Sequence, residues 1–110
     1  MLFVSAAQEI YLTRGNTAKL NINLRNNVIK QPYEVQSDDL VTFTVKRKYE
    51  DAEVLIEKKV TGSTKIHIKP EDTKGLAFGR YEYDVQVTTA NGDNYTPIAE
   101  KAFYITRGSV

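Results

Sequence analysis

Chemistry needs groups that converge, and this 110-residue chain holds few residues of the types that could supply them. Its one histidine, His67, stands between Ile66 and Ile68, so an imidazole on that strand faces solvent if the two isoleucines face a core. No cysteine joins it and no His-Glu-x-x-His spacing occurs, so the sequence spells neither a zinc set nor a thiolate nucleophile. Serine occurs only at positions 5, 37, 63 and 109, in a terminus or a turn each time and never in a strand-to-helix elbow. The acidic pairs Asp38-Asp39 and Glu71-Asp72 have the atoms for carboxylate chemistry or calcium. A loop and the first turn of a helix account for them better. The glycines are singly spaced at turns, so no phosphate-cradling loop is present.

Aromatic rings are the other resource. Tyr81 and Tyr83 continue the face of Val85 and Val87 and belong to a core or its rim. Tyr33, Tyr49 and Tyr95 fall in or near loops, where an amphipathic ring can anchor a protein partner or a sugar. With Pro32 beside Tyr33, the candidate contact residues are Pro32, Tyr33, Tyr49 and Tyr95. No catalytic, metal or cofactor-binding residues are assigned, and no cofactor is expected.

Charge narrows the partners. Fifteen basic against fourteen acidic side chains leave a net charge of +1, which gives no field to gather nucleic acid. Hydrophobic residues at 41% and charged ones at 26% are those of a folded domain. Residues 1–7 hold a few apolar residues but no basic flank, too short a run for a secretory signal or a membrane span.

The elements that must position these residues are strands. Ala18, Leu20, Ile22 and Leu24 alternate with Lys19, Asn21, Asn23 and Arg25, the period of two of a half-buried strand. Val41, Phe43 and Val45 alternate with Thr42, Thr44 and Lys46; Tyr81, Tyr83, Val85 and Val87 with Glu82, Asp84, Gln86 and Thr88. Shorter strands are expected at 9–13, 54–60, where Val54, Ile56, Lys58 and Val60 share a face at a sheet edge, 65–69 and 102–106. An edge strand or sheet crossing is expected near 33–35. Pro70 opens a helical turn, since proline at the first helical position wastes no hydrogen bond. Asn91-Gly92 predicts a two-residue type I′ hairpin between the 79–88 strand and its partner. About seven antiparallel strands with almost no helix predict an all-β fold, an immunoglobulin-like β-sandwich, with a small barrel as the competing architecture. The expected organisation is an arm or first strand at 1–9, the sandwich at 10–106 and a tail at 107–110.

Arg14-Gly15-Asn16-Thr17 before an alternating strand, Pro32-Tyr33, Val41-Thr42-Phe43-Thr44-Val45-Lys46, Pro70-Glu71-Asp72-Thr73, Gly79-Arg80-Tyr81-Glu82-Tyr83-Asp84-Val85, Asn91-Gly92 with Tyr95-Thr96, and Phe103-Tyr104-Ile105 follow one another in an order that resembles the immunoglobulin-like N-terminal domain of phage baseplate upper proteins and related phage tail proteins. The resemblance spans roughly residues 10–106. It implies a non-enzymatic structural or adaptor role in a phage or prophage tail or baseplate. The implied partners are other tail or baseplate proteins and further copies of the chain, with no nucleic acid and no membrane insertion. The implied location is the virion, after synthesis in the bacterial cytoplasm. A carbohydrate- or host-surface-binding adhesion module is the alternative. The chain departs from the family pattern at Asn16, where aspartate is common, in the loop near Val35 to Asp39, which lacks the usual Asp-Leu-Thr-Gly-like run, and at Ala99-Glu100-Lys101-Ala102, which lacks the glycine often found before the last strand.

Overall fold

Residues 79–88, the longest alternating stretch of the sequence, lie inside the larger of two facing sheets. The structure is a computed structural model that describes residues 2–4, 9–22, 25–26, 31–32, 35–48 and 50–107, with 2–4, 25–26 and 31–32 described by their backbone alone. Its strands are β1 Leu2–Val4, β2 Ile10–Thr13, β3 Ala18–Asn21, β4 Arg25–Asn26, β5 Gln31–Pro32, β6 Leu40–Lys46, β7 Ile56–Thr61, β8 Lys65–Ile68, β9 Gly79–Thr88 and β10 Asn94–Thr106; the one helix, α1, is Pro70–Lys74. Six strands form a sheet in the order β1-β2-β10-β9-β6-β7, while β3 pairs with β8 and β4 with β5. Setting aside the edge strand β1 and the two-residue pair β4 and β5, seven strands make an immunoglobulin-like sandwich.

Alternation puts one face of each strand into the core. Val41, Phe43 and Val45 of β6, Val85 and Val87 of β9, and Phe103 and Ile105 of β10 are buried against Ala18, Leu20, Ile66 and Ile68 of the smaller sheet. Each such aliphatic or aromatic side chain contributes about 1.5–3 kcal/mol when fully withdrawn from water. At the centre Phe43 lies 5.3 Å from Tyr83, and Phe103 stands edge-on to both rings at 6.2 and 6.4 Å. This aromatic cluster fills the middle of a chain without cysteine, where antibody domains carry a disulfide against a tryptophan. Burial pushes the Tyr83 phenol up to about 12. At the start of β9 the Tyr81 hydroxyl donates to the Ala77 carbonyl at 2.7 Å. That is the tyrosine corner of immunoglobulin-like folds, a ring near a strand's start tied back to backbone a few residues upstream.

The β7 pattern holds from Ile56 on: Ile56 is buried, Lys58 and Val60 are half-buried on the same side, and Lys58 Nζ reaches Asp72 on α1 at 2.8 Å, whereas Val54 precedes the strand and is exposed. Asp72 also accepts from the Lys69 backbone N–H at 2.7 Å, closing the first turn behind Pro70.

Three expectations are corrected. The expected antiparallel arrangement has one exception, because β2 runs parallel to β10, with Ile10 opposite Phe103 and Thr13 opposite Thr106. The first and last strands of the sandwich thus meet side by side, a crossover through the whole domain that local pattern does not announce. The hairpin is not type I′: Gly92 has φ 87° but Asn91 is not left-handed, and Gly92 N–H bonds the Thr89 carbonyl at 2.9 Å while Thr89 N–H bonds the Asp93 carbonyl at 2.8 Å. The loop has three residues, with glycine in its last position. The hairpin partner and the last strand are a single strand, β10. Register shifts between Tyr95 and Ile98 and between Ile98 and Lys101 insert extra residues that reverse the alternation twice, which is why the sequence reads as two pieces. A short pairing in the long connection falls at β4 and β5; of the edge strand expected near 33–35, Val35 is outside any strand and residues 33–34 lie outside the described residues.

Candidate interaction surface

None of the four contact residues named from sequence is brought to another among the described residues. Pro32 sits in β5 opposite Arg25. Tyr33 and Tyr49 lie outside the described residues. Tyr95 is 55% exposed at the hairpin end of β10, opposite Val87. His67 is exposed on β8 opposite Lys19, as the flanking isoleucines require. The outer side of β3 and β8 carries a shallow depression of about 320 Å³ lined by Lys19, Leu20, Asn21, Lys65, Ile66 and His67. That lining offers neither a carboxylate nor a hydroxyl to work with the imidazole. Asp39 is buried as a turn residue, its Oδ2 accepting from the Gln36 backbone N–H at 2.9 Å. Among the described residues no three His, Cys, Asp or Glu converge as a metal set, and no helix is long and apolar enough to cross a membrane.

Two features that local sequence pattern does not reveal carry more geometry. On the solvent side of the large sheet, Tyr11 of β2 and Tyr104 of β10 are register partners, and their rings stack 4.6 Å apart at an interplanar angle of 6°. The Tyr11 hydroxyl donates to Glu9 at 3.3 Å, and burial first, then the Glu9 charge, holds its phenol above the usual value. Phe3 takes the next register position on β1 and Arg80 the next on β9, so one rung reads Phe, Tyr, Tyr, Arg across four strands. Only the parallel pairing of the first and last strands of the sandwich assembles it.

The second feature lies at the end of the sheet where β2, β6 and β10 finish and β9 begins. Four of the five arginines gather there: Arg14 follows β2, Arg47 follows β6, Arg107 follows β10 and Arg80 is the second residue of β9. The Arg14 guanidinium lies 4.1 Å and that of Arg107 4.9 Å from the centroid of the Phe78 ring, which is 37% exposed. The Arg47 guanidinium lies 4.9 Å from the Tyr81 ring. Such stacking fixes the guanidinium plane while leaving N–H edges free. The frame beneath is tied by side chains: Thr73, fully buried on α1, accepts from the Gly15 backbone N–H at 2.8 Å, and Arg14 Nη1 donates to the Leu76 carbonyl at 3.3 Å.

Midway along the sheet, Asp84 has one carboxylate oxygen buried with no hydrogen-bond partner among the described residues. Burial raises its pKa above the ordinary aspartate value, against the pull of Lys46.

Comparison of the chain with protein-family models, with curated protein sequences and with solved structures finds no match.

Proposed function

We propose that this domain is a non-enzymatic assembly module, a structural or adaptor part of a phage or prophage tail or baseplate that works through protein contacts. The observation that carries the assembly reading is the stacked pair of Tyr11 and Tyr104, on strands β2 and β10 beside the edge strand β1 of the large sheet. Stacked, partly buried tyrosines on a solvent-facing sheet supply contact area at low entropic cost, and an unpaired strand edge offers backbone groups to a further strand. The tail or baseplate setting rests on the family resemblance. The partners in this reading are other tail or baseplate proteins and copies of the chain itself, and the location is the virion.

The test is the composition of particles. Mass spectrometry of purified tails or induced prophage particles from the source strain should find the chain at a fixed ratio to the tail proteins. Light scattering of the purified chain, with and without residues 1–8, should show that removing the β1 edge strand changes stoichiometry or partner binding while the sandwich stays folded. A chain missing from particles and abundant in the soluble lysate overturns the phage reading; unchanged association after truncation overturns the role of the edge.

A further inference from the structure

The arginine end carries an inference about the kind of partner, one that rests on the assembly reading. With a net charge of only +1, the chain has no general attraction for anions, so the gathering of Arg14, Arg47, Arg80 and Arg107 at one end is a local feature. Arg80 has a carboxylate, Glu82, at 4.0 Å. Arg14, Arg47 and Arg107 have no ion pair among the described residues, and of the two acids on α1 Asp72 is held by Lys58 at 2.8 Å. Exposed arginines usually wander, but these three lie on aromatic rings, and Arg14 is further held by the Leu76 carbonyl. Their ordering entropy is therefore largely spent before any partner arrives.

We propose that Arg14 and Arg107, laid over Phe78, form a docking site for an acidic segment of a partner protein, each guanidinium presenting an N–H edge to a carboxylate. A planar fork of donors matches a carboxylate in two parallel hydrogen bonds. An acidic peptide fits better than nucleic acid, because the Phe78 ring that would stack a base already has two guanidiniums over it. Arg47, on the neighbouring Tyr81 ring, extends the same surface to a second carboxylate along the segment.

The experiment titrates the full chain with fluorescein-labelled hexaglutamate, read by anisotropy at low and moderate salt. The peptide should bind at low salt and weaken as salt rises. Arg107→Gln should weaken binding about tenfold, the effect of losing one charge-assisted hydrogen-bonded contact. Arg107→Lys should weaken it as well, since the charge stays but the fork is lost. Lys59→Gln removes the same charge from the distant β7 edge and should leave binding unchanged. Arg14→Gln should act like Arg107→Gln, and thermal melts monitor the loss of its bond to Leu76; Arg107 has no such bond among the described residues, so its variants decide the outcome. Absence of binding at low salt, equal binding by Arg107→Gln and wild type, an equal loss in Lys59→Gln, or tighter binding of a labelled single-stranded DNA oligonucleotide each overturns the site. Such a failure with the chain still present in particles removes the acidic partner and keeps the assembly reading; absence from particles with hexaglutamate binding intact does the reverse.

Discussion

The two ends of the large sheet, roughly 30 Å apart along the ten residues of β9, are closed by different means. At the hairpin end the tie between distant segments is backbone, Gly62 N–H to the Asp39 carbonyl at 2.8 Å, and the side chains of Asp39 and Thr89 tighten only their own turns, beside the Thr89 N–H bond to the Asp93 carbonyl at 2.8 Å. At the arginine end backbone bonds such as Arg14 N–H to the Thr106 carbonyl at 3.0 Å extend the strands, while side chains tie separate segments together, through Thr73 on Gly15 and Arg14 on the Leu76 carbonyl. An end locked by backbone has little to offer a partner beyond its shape. An end locked by side chains holds guanidiniums and rings in set positions, and recognition of another molecule requires such positions.

Gly62→Ala should have the largest effect of any single change at either end. Gly62 has φ 68°, and an added Cβ would stand 2.9 Å from the Ser37 carbonyl oxygen, backbone that cannot swing aside. Left-handed strain and overpacking together should remove about 3 kcal/mol, read from urea unfolding. A neutral result would break the claim that backbone locks this end. At the other end Thr73→Val keeps shape and removes the acceptor of the Gly15 N–H, which should lower stability by about 2 kcal/mol and loosen the turn at residues 14–16. If hydrogen exchange there stays unchanged, side chains do not close that end.

Gly92→Ala sharpens the contrast within the hairpin end. Its φ is 87° but nothing lies within 4 Å of an added Cβ, so only the strain remains, about 1 kcal/mol. Glu100→Gly, between the two ends, should shift stability the other way by about 1 kcal/mol, because it relieves the one described non-glycine residue with positive φ. The smallest change belongs to Asp72. Its pKa is lowered despite burial, through bonds from Lys58 and the Lys69 backbone. The depressed value means that its contribution is present above the ordinary aspartate pKa and is lost as pH falls through the folded value. Asp72→Asn should therefore cost about 1 kcal/mol near neutrality and nothing in strong acid, seen as convergence of the two melting curves at low pH.

These positions also show what the chain makes legible before it folds. Strands whose inner residues alternate without interruption, such as those with Phe43 and Val85, are legible because burial on one face imposes a period of two. The inward Lys58 follows the same rule, and Pro70 marks α1 by the hydrogen bond it does not need. Where β10 bulges, the period reverses, and one strand reads as two. Asn91-Gly92 correctly marks a turn, but the choice between a two- and a three-residue loop depends on how the flanking strands align, which two residues do not encode. The candidate site was least legible. Tyr11 and Tyr104 stand 93 positions apart, and Arg14 and Arg107 also 93; each pair meets only because β2 lies parallel to β10. The tyrosines that looked free from their loop positions include only one, Tyr95, that the described residues place, and it stands alone at the backbone-locked end.

The central claim, that this domain meets its partners through the Tyr11–Tyr104 pair and the arginine end it adjoins at Arg80, is tested most directly by hydrogen exchange on the chain free and assembled in its particle. Amides at 76–80 and 104–107 should slow on assembly while those at 89–93 exchange as before. Protection confined to 89–93, or none at the arginine end of a chain that is present in the particle, would contradict it.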